Sequence, residues 1–287
     1  MGTVRKGITI TSVLVVVGAL VVVAIVFVSR IGGTQGPFCE VQASGTSTAP
    51  SGTSGANTPD HYSFSPEQAG NAATIAAVAL KMNMPPHAVT IALATAWQES
   101  KLINLTSGDR DSAGLFQQRP SEGWGTYAQV TDPVQSTTAF YTHLNRISDW
   151  VDLPVTQAAQ DVQHSAAPDA YAQWEDEARA MATALTGQNP AGLTCHNLAV
   201  NPTSADLSSV AANEWGGQVT GSHDAQLSWA MGSWLVAKAT VFGVDKVTVG
   251  NSSWTSSSGD WSPAPGSAAS QADPAVSLEQ VQAKPTS

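Results

Sequence analysis

The chain has 287 residues and a formal net charge of −10 at neutral pH, with 12 basic against 22 acidic side chains. Nucleic-acid binding calls for a basic face, so this balance argues against a nucleic-acid partner. Charged residues make up only 12% of the chain, and no basic cluster occurs beyond the first thirty residues.

The first predicted element is an unbroken apolar run that begins at Ile8 and ends at Val28. It is long enough to cross a hydrocarbon core as a helix. Two basic residues precede it and Arg30 follows closely, which favours a cytoplasmic N-terminus. We therefore predict that residues 1–30 are the cytoplasmic end and transmembrane anchor of a single-pass cell-membrane protein whose bulk is extracytoplasmic. A cleaved signal peptide is the alternative, but the run is long for one and no Ala-x-Ala site follows.

Two cysteines, Cys39 and Cys195, are the only ones in the chain. Outside the cytoplasm, two thiols of one chain are usually paired. We therefore predict a structural disulfide that ties the segment after the anchor to the end of the central domain.

Three segments rich in Ser, Thr, Gly, Ala and Pro divide the remaining chain. We predict a flexible stalk over residues 31–63, a linker over residues 188–204 and a disordered tail over residues 263–287. Folded units are expected over residues 64–187 and 205–262.

Residues 64–187 are strongly helical in pattern. Ser65 is followed by proline and, three positions on, by Gln68, which is a helix start signal, and the segment from Asp132 repeats it. The last helix carries one apolar stripe at spacings of three and four. Its members are Tyr171, Trp174, Ala178, Met181 and Leu185. Five helices joined by short loops predict a compact all-α domain, so the fold class is mainly α.

Residues 205–262 differ from the helical unit. A helix ending at Gly243 is followed by a predicted strand over residues 244–249, and Trp254 and Trp261 follow among Ser and Gly. We predict a small α+β C-terminal domain that leans on its neighbour. Core packing is the favoured role of the two tryptophans, and stacking on a sugar is the alternative.

Glu99 is the most informative single residue. It lies near the end of the second helix of the all-α unit and emerges from a small, mostly apolar face that includes Ile91, Ala92 and Ala96. Partial burial and the negative end of the helix dipole both disfavour its charged form. Both effects raise the pKa, as a general acid working near neutral pH requires. An exposed glutamate at a helix end is the alternative.

Glu99-Ser100 ends an Ala-rich helix, and the segment Ser-Ala-Gly-Leu-Phe-Gln follows over residues 112–117. This pair of motifs resembles the lysozyme-like lytic transglycosylases, whose signature joins Glu-Ser to Gly-Leu-Met-Gln. Residues 90–141 are more specifically similar to actinobacterial membrane-anchored cell-wall proteins. The resemblance covers residues 65–185 and implies a lysozyme-like domain that cleaves the glycan strands of peptidoglycan.

The resemblance also implies roles for single residues. Glu99 protonates the glycosidic oxygen and then acts as base on the C6 hydroxyl of the substrate, so that a 1,6-anhydro product forms without a second carboxylate. Ser100 supports Glu99, Gly114 allows close backbone approach, and Gln117 hydrogen-bonds the glycan. Phe116 stands where the family has methionine. No cofactor is expected.

The third element of the family, Ala-Tyr-Asn-Ala-Gly, is missing. The corresponding place is residues 159–166, where Gln163 is predicted to replace the asparagine without an adjacent tyrosine. Tyr171 is the candidate for the missing hydroxyl, although its place in the apolar stripe favours a core residue. The predicted substrate-binding residues are Ser100, Gly114, Gln117, Gln163 and Tyr171.

Two other functions stay open. A lysozyme-type hydrolase would need a second carboxylate, for which Asp109 and Asp111 are the nearby candidates. A cation site and a solvated turn pinned by the intervening arginine are the other interpretations of this loop. A non-catalytic wall-binding module would keep the groove and leave Glu99 idle.

Several further side chains have two interpretations each. Glu122, Trp124 and Tyr127 are candidates to line a cleft after Gln117, because flat aromatic faces suit sugar rings, and plain packing is the alternative for Trp124. The histidines at 164 and 196 lack metal-ligand spacing, so no metal is predicted.

Overall fold

The computed structural model describes residues 36–43, 60–165, 167–264 and 273–283. The described residues from Pro37 onward belong to one compact unit. About half of the described residues are helical, and the strands form two small antiparallel sheets. The fold is therefore mixed α+β, where the sequence predicted a mainly α chain.

The helices of the described residues carry the site and most of the core. They are α1 (Pro66–Lys81), α2 (Pro86–Ser100), α3 (Tyr127–Val130), α4 (Pro133–Leu144), α5 (Val155–Gln163), α6 (Glu175–Leu185), α7 (Leu207–Trp215), α8 (Ala225–Ala237) and α9 (Ala239–Phe242), with 3₁₀ helices at Pro120–Glu122, Trp150–Asp152 and Pro168–Trp174.

Both predicted helix start signals are confirmed. The Ser65 hydroxyl accepts from the Gln68 backbone N–H, and the Gln68 side-chain oxygen accepts from the Ser65 backbone N–H. These two bonds make a capping box at the start of α1. The Asp132 carboxylate accepts from the N–H groups of Val134 and Gln135 at the start of α4.

Some strands pair with their neighbour in the chain, and others pair across long distances. They are β1 (Phe38–Gln42), β2 (His61–Phe64), β3 (Leu193–His196), β4 (Gly221–Ser222), β5 (Val244–Val249), β6 (Ser252–Thr255), β7 (Trp261–Pro263) and β8 (Ala275–Gln280). The first sheet has the order β2-β1-β3 and the second has the order β4-β8-β5-β6-β7.

Four strands lie where the sequence predicted irregular chain. β1 and most of β2 fall in the predicted stalk, β3 in the predicted linker, and β8 in the predicted disordered tail. Each prediction is wrong over those residues, because a short strand is stabilised by hydrogen bonds to a partner that its own composition does not reveal. β8, for example, pairs with both β4 and β5 inside the second sheet.

The predicted disulfide between Cys39 and Cys195 is confirmed. The two residues are directly opposite each other in the antiparallel pair of β1 and β3, and both are fully buried. The predicted span that begins at Ile8 and ends at Val28 lies outside the described residues. Among the described helices, none combines the length and the apolar character needed to cross a bilayer.

A buried ion pair joins the C-terminal segment to the first helix. Glu214 on α7 accepts from Lys238 Nζ at 2.9 Å and from Thr74 Oγ1 of α1 at 3.1 Å. Its other oxygen accepts from Trp234 Nε1 at 2.6 Å. Because both charged side chains are almost fully buried, the predicted C-terminal unit shares an interior with the helical unit.

Candidate active site

Glu99 lies one residue before the end of α2, a helix whose side chains are almost all buried. Lys101 caps the C-terminus of this helix. It adopts the left-handed conformation with φ of 56° and turns the chain into the following loop. The Glu99 side chain is half-buried, so it has access to a ligand while most of its surroundings are protein.

Burial raises the pKa of Glu99, and this effect is larger than the opposing hydrogen bonds from Tyr171 and Gln163, which stabilise the charged form. The raised pKa agrees with the direction predicted from the helix position. Within the described ranges, the side chains that shift the Glu99 pKa are both neutral.

Tyr171 lies in the 3₁₀ helix Pro168–Trp174 and donates from Oη to Glu99 Oε1 over 2.8 Å. The residue is also fully buried. Burial, followed by the nearby charge of Glu99, raises the Tyr171 pKa well above its ordinary value. The hydroxyl therefore keeps its proton and acts as a donor. The ring is therefore part of the core, and the hydroxyl contacts Glu99.

Gln163 lies at the end of α5 and joins Glu99 to the turn after it. Its Nε2 donates to the Phe116 carbonyl over 2.8 Å, and its side chain also hydrogen-bonds Glu99. The structure thus brings Gln163, Tyr171 and Glu99 together.

Ser100 binds protein at both of its hydroxyl contacts. It donates to the Ala96 carbonyl at 3.0 Å and to the Leu115 carbonyl at 2.7 Å, and only 6% of the residue is exposed. Ser100 therefore lies under the turn of residues 114–117, and its hydroxyl links this turn to the end of α2. This agrees with support of Glu99 and differs from the predicted contact with substrate.

Gly114 and Gln117 shape that turn from within. Gly114 has φ of +79°, and a Cβ there would lie 1.9 Å from the Val130 carbonyl oxygen. The close approach that requires glycine is thus to the protein's own backbone. Gln117 accepts from Ser112 Oγ at 3.0 Å and donates to the Gly114 carbonyl at 3.2 Å. One amide hydrogen of the half-buried Gln117 is left over for a ligand.

A second hydrogen bond, which the sequence did not predict, joins the 3₁₀ helix Pro168–Trp174 to α2. Trp174 Nε1 donates to Gln98 Oε1 over 2.7 Å, next to the bond between Tyr171 and Glu99. Lys101 Nζ lies 3.9 Å from the centre of the Trp174 ring, which is within cation–π range. The sequence did contain a signal for this bond. Tyr171 and Trp174 are three residues apart, and their acceptors on α2 are consecutive residues.

The two candidate second carboxylates have different surroundings. Asp111 accepts from the Ser121 N–H at 2.8 Å and from Arg119 Nε at 3.0 Å. These bonds, the Ser121 N–H first, lower the Asp111 pKa to about 2. Asp109 is exposed and lies 4.0 Å from Arg110. The arginine that pins the loop is therefore Arg119 and not the intervening Arg110.

The remaining aromatic candidates divide into packing and surface residues. Trp254 is fully buried and donates to the Gly259 carbonyl, and Trp261 donates to the Leu193 carbonyl over 2.9 Å, so both are structural. Trp124 is half-buried against His143. Tyr127 is 53% exposed and donates to the Thr106 carbonyl.

Glu122, the acidic candidate for this cleft, forms an ion pair with Arg119. Within the described ranges, no three His, Cys, Asp or Glu side chains gather in a way that could hold a metal ion.

Neither a scan against protein-family models nor a search of curated proteins found a match for this chain. The chemistry of the Glu99 site is therefore what bears on function.

Proposed function

We propose that this protein is a membrane-anchored lytic transglycosylase-like enzyme that cleaves the glycan strands of peptidoglycan, with Glu99 as general acid and then general base. The observation that carries the proposal is the half-buried Glu99 carboxyl group with the Tyr171 hydroxyl 2.8 Å from Oε1. We further propose that the helices around it form a lysozyme-like domain.

The acid step uses the protonated form of Glu99, which burial favours. Its proton passes to the glycosidic oxygen as the bond between that oxygen and C1 of the sugar breaks. The carboxylate left behind is stabilised where it forms, because Tyr171 and Gln163 already point hydrogen-bond donors at it.

The base step returns the proton to Glu99. The carboxylate removes the proton of the C6 hydroxyl of the same sugar, and O6 bonds to C1 to close a 1,6-anhydro ring. No water is consumed, and Glu99 ends the cycle protonated. Since one residue serves both steps, a single carboxylate with two neutral partners is sufficient.

The surroundings of the other carboxylates favour this mechanism over hydrolysis. Asp111 is held by Arg119 and by the Ser121 N–H. These bonds lower its pKa to about 2, which makes it a weak base toward a water. Asp109 is exposed beside Arg110. Burial of Glu99 disfavours its charged form and adds no contact to a ligand. A non-catalytic wall-binding module would therefore gain nothing from the raised pKa of Glu99.

We also propose an extracytoplasmic location, with the lipid bilayer contacted through the apolar run from Ile8 to Val28 and peptidoglycan as the partner. The buried disulfide between Cys39 and Cys195 supports it, because disulfides persist mainly in oxidising compartments.

The test is digestion of purified peptidoglycan with the full-length protein, followed by mass spectrometry of the released muropeptides. Products lighter by one water than hydrolysis products are expected, and Glu99→Gln is expected to abolish them. Glu67→Gln is the matched control, because Glu67 is exposed at the start of α1. Thermal unfolding of each variant checks that it is folded.

Other results would overturn the proposal. Products with free reducing ends would indicate a hydrolase. No release of muropeptides, combined with wall binding that Glu99→Gln leaves unchanged, would indicate a binding module.

A further inference from the structure

A pocket of about 380 Å³ lies on the outer side of α4, bounded by the turn of residues 123–125. The volume falls in the lower part of the range of roughly 300–1,000 Å³ typical of small-molecule sites. The side chains that matter for its chemistry are Trp124, Gln129, Gln135, Thr138, Thr142 and His143. No function described above uses this pocket.

The wall of the pocket carries no carboxylate, ammonium or guanidinium group. His143 is its one titratable member. Burial, followed by electrostatic repulsion from Arg146 and His164, lowers the His143 pKa below its ordinary value, so the imidazole is neutral at neutral pH. An uncharged wall suits an uncharged ligand, because an ionic ligand would lose its hydration without gaining a counter-charge.

The wall also has hydrogen-bonding capacity that the described residues leave unused. Trp124 lines the pocket with its indole ring 4.0 Å, centre to centre, from the His143 imidazole. Neither Trp124 Nε1 nor the ring nitrogens of His143 have a hydrogen-bond partner among the described residues. Gln129 uses Oε1 to accept from the Thr126 N–H, which leaves its Nε2 hydrogens free.

The hydroxyls of the α4 face are arranged as acceptors. Thr138 donates to the Val134 carbonyl and Thr142 donates to the Thr138 carbonyl, each over 2.7 Å. Their lone pairs therefore remain available to accept from a ligand hydroxyl. A wall that offers both donors and acceptors next to a flat indole matches a sugar ring with an apolar face and a rim of hydroxyl groups.

The pocket is connected to the Glu99 site through α4 and α5. His164, which interacts electrostatically with His143, directly follows Gln163, which hydrogen-bonds Glu99. Phe140, the neighbour of the pocket residue at 139, stacks on Phe116 with ring centres 4.7 Å apart. Helix α4 therefore packs against the turn of residues 114–117 and also forms one wall of the pocket.

We propose that this pocket is a subsite for one uncharged sugar ring of the glycan strand, stacked on Trp124 and hydrogen-bonded by His143 and Gln129. This inference rests on the proposed function, and it makes Trp124 and His143 determinants of specificity away from the bond that breaks. The peptide stems of peptidoglycan carry carboxylates and amines, so the neutral wall selects sugar over stem.

The test measures binding of a short N-acetylglucosamine oligosaccharide by calorimetry to the full-length protein carrying Glu99→Gln, so that no turnover interferes. Adding Trp124→Ala should weaken binding by about tenfold or more, because an aromatic anchor is lost. Trp124→Phe should stay within about threefold, because a flat ring remains. His143→Ala should cost about threefold to tenfold. His61→Ala is its matched control, since His61 is an exposed imidazole on β2, and should cost nothing.

The outcomes separate this inference from the proposed function. Equal affinity in Trp124→Ala and in the parent overturns the subsite, and so does binding of an isolated stem peptide that the Trp124 change abolishes. If peptidoglycan is not cleaved by the unmodified protein but the oligosaccharide still binds through Trp124, the enzyme is overturned and the subsite stands. Thermal unfolding confirms that each variant is folded.

Discussion

Trp174 Nε1 donates to Gln98 Oε1 over 2.7 Å, directly beside the bond from Tyr171 to Glu99. In a 3₁₀ helix, residues three apart lie on one face. Tyr171 and Trp174 therefore reach two consecutive residues at the end of α2, and two parallel bonds fix the Tyr171 hydroxyl relative to the Glu99 carboxyl.

Removing the hydrogen bond from Trp174 to Gln98 should weaken catalysis without removing a group that touches the reacting atoms. Trp174→Phe keeps an aromatic ring for Lys101 but loses the indole donor. We expect turnover to fall by about threefold to tenfold, the scale of one neutral hydrogen bond, with KM unchanged. The limb of the pH–rate profile that reports Glu99 should move to higher pH, because Tyr171 is held less firmly. Steady-state kinetics on soluble glycan strands measure both effects.

Trp215→Phe is the control for this change. Trp215 lies on α7, and its indole nitrogen is buried without a hydrogen-bond partner among the described residues. The same substitution there should leave the profile where it is. A profile that also stays unmoved in Trp174→Phe would argue against the positioning role.

Tyr171→Phe tests the bond to Glu99 itself. The ring still fills its buried site, but the donor that stabilises the carboxylate is gone, so the Glu99 pKa should rise further. We expect turnover to fall by about tenfold to a hundredfold, as for a hydrogen bond to a charged group. The alkaline limb of the pH–rate profile, where Glu99 loses its proton, should again move to higher pH. Tyr141→Phe is the matched control, because its buried hydroxyl donates to the Ile75 carbonyl.

Glu99→Gln should stabilise the fold in a pH-dependent way. Burial raises the Glu99 pKa in the folded protein, so between the unfolded and folded pKa values the folded state binds more protons. Stability then falls as pH rises through this window, at about 1.4 kcal/mol for each unit of pKa difference. The glutamine variant lacks this loss. Its melting temperature should match the parent at acid pH and exceed it above the folded pKa, and a difference independent of pH would contradict the buried carboxyl.

The buried pair of Glu214 and Lys238 should be needed for stability. Lys238→Met leaves the Glu214 charge buried with only Thr74 and Trp234 as donors, and we expect a loss of about 3–5 kcal/mol in the free energy of unfolding. The double variant with Glu214→Gln removes both charges and should recover part of that loss. Urea unfolding followed by tryptophan fluorescence measures each value, and equal losses in the single and double variants would mean that the charge is not what matters.

The sequence predicted those features that depend on neighbours within a few residues. The caps at Ser65 and Asp132 are local hydrogen bonds, so their residue types reveal them. β1 is a different case, because its partner β3 includes Cys195, which is 156 residues from Cys39. The two cysteines indicated the pairing of those segments, but nothing in the local composition indicated a strand.

The site was predictable to a similar depth. The helix position of Glu99 indicated burial and a raised pKa; the side chain is half-buried, and this burial raises its pKa. The apolar stripe correctly indicated that the Tyr171 ring is core, but periodicity describes where a ring lies and not where its terminal hydroxyl points. The bond from Trp174 to Gln98 depends on how a 3₁₀ helix lies against α2, which only the tertiary structure provides.

The bridge between Cys39 and Cys195 has a mechanical consequence. Because it joins directly opposed residues of β1 and β3, residues 40–194 form a closed covalent loop. A pull applied to the chain before Cys39 and after Cys195 would pass through the sulfur–sulfur bond and bypass that loop. The carboxyl of Glu99 and its partners all lie inside it, so tension along the chain would leave their geometry unloaded.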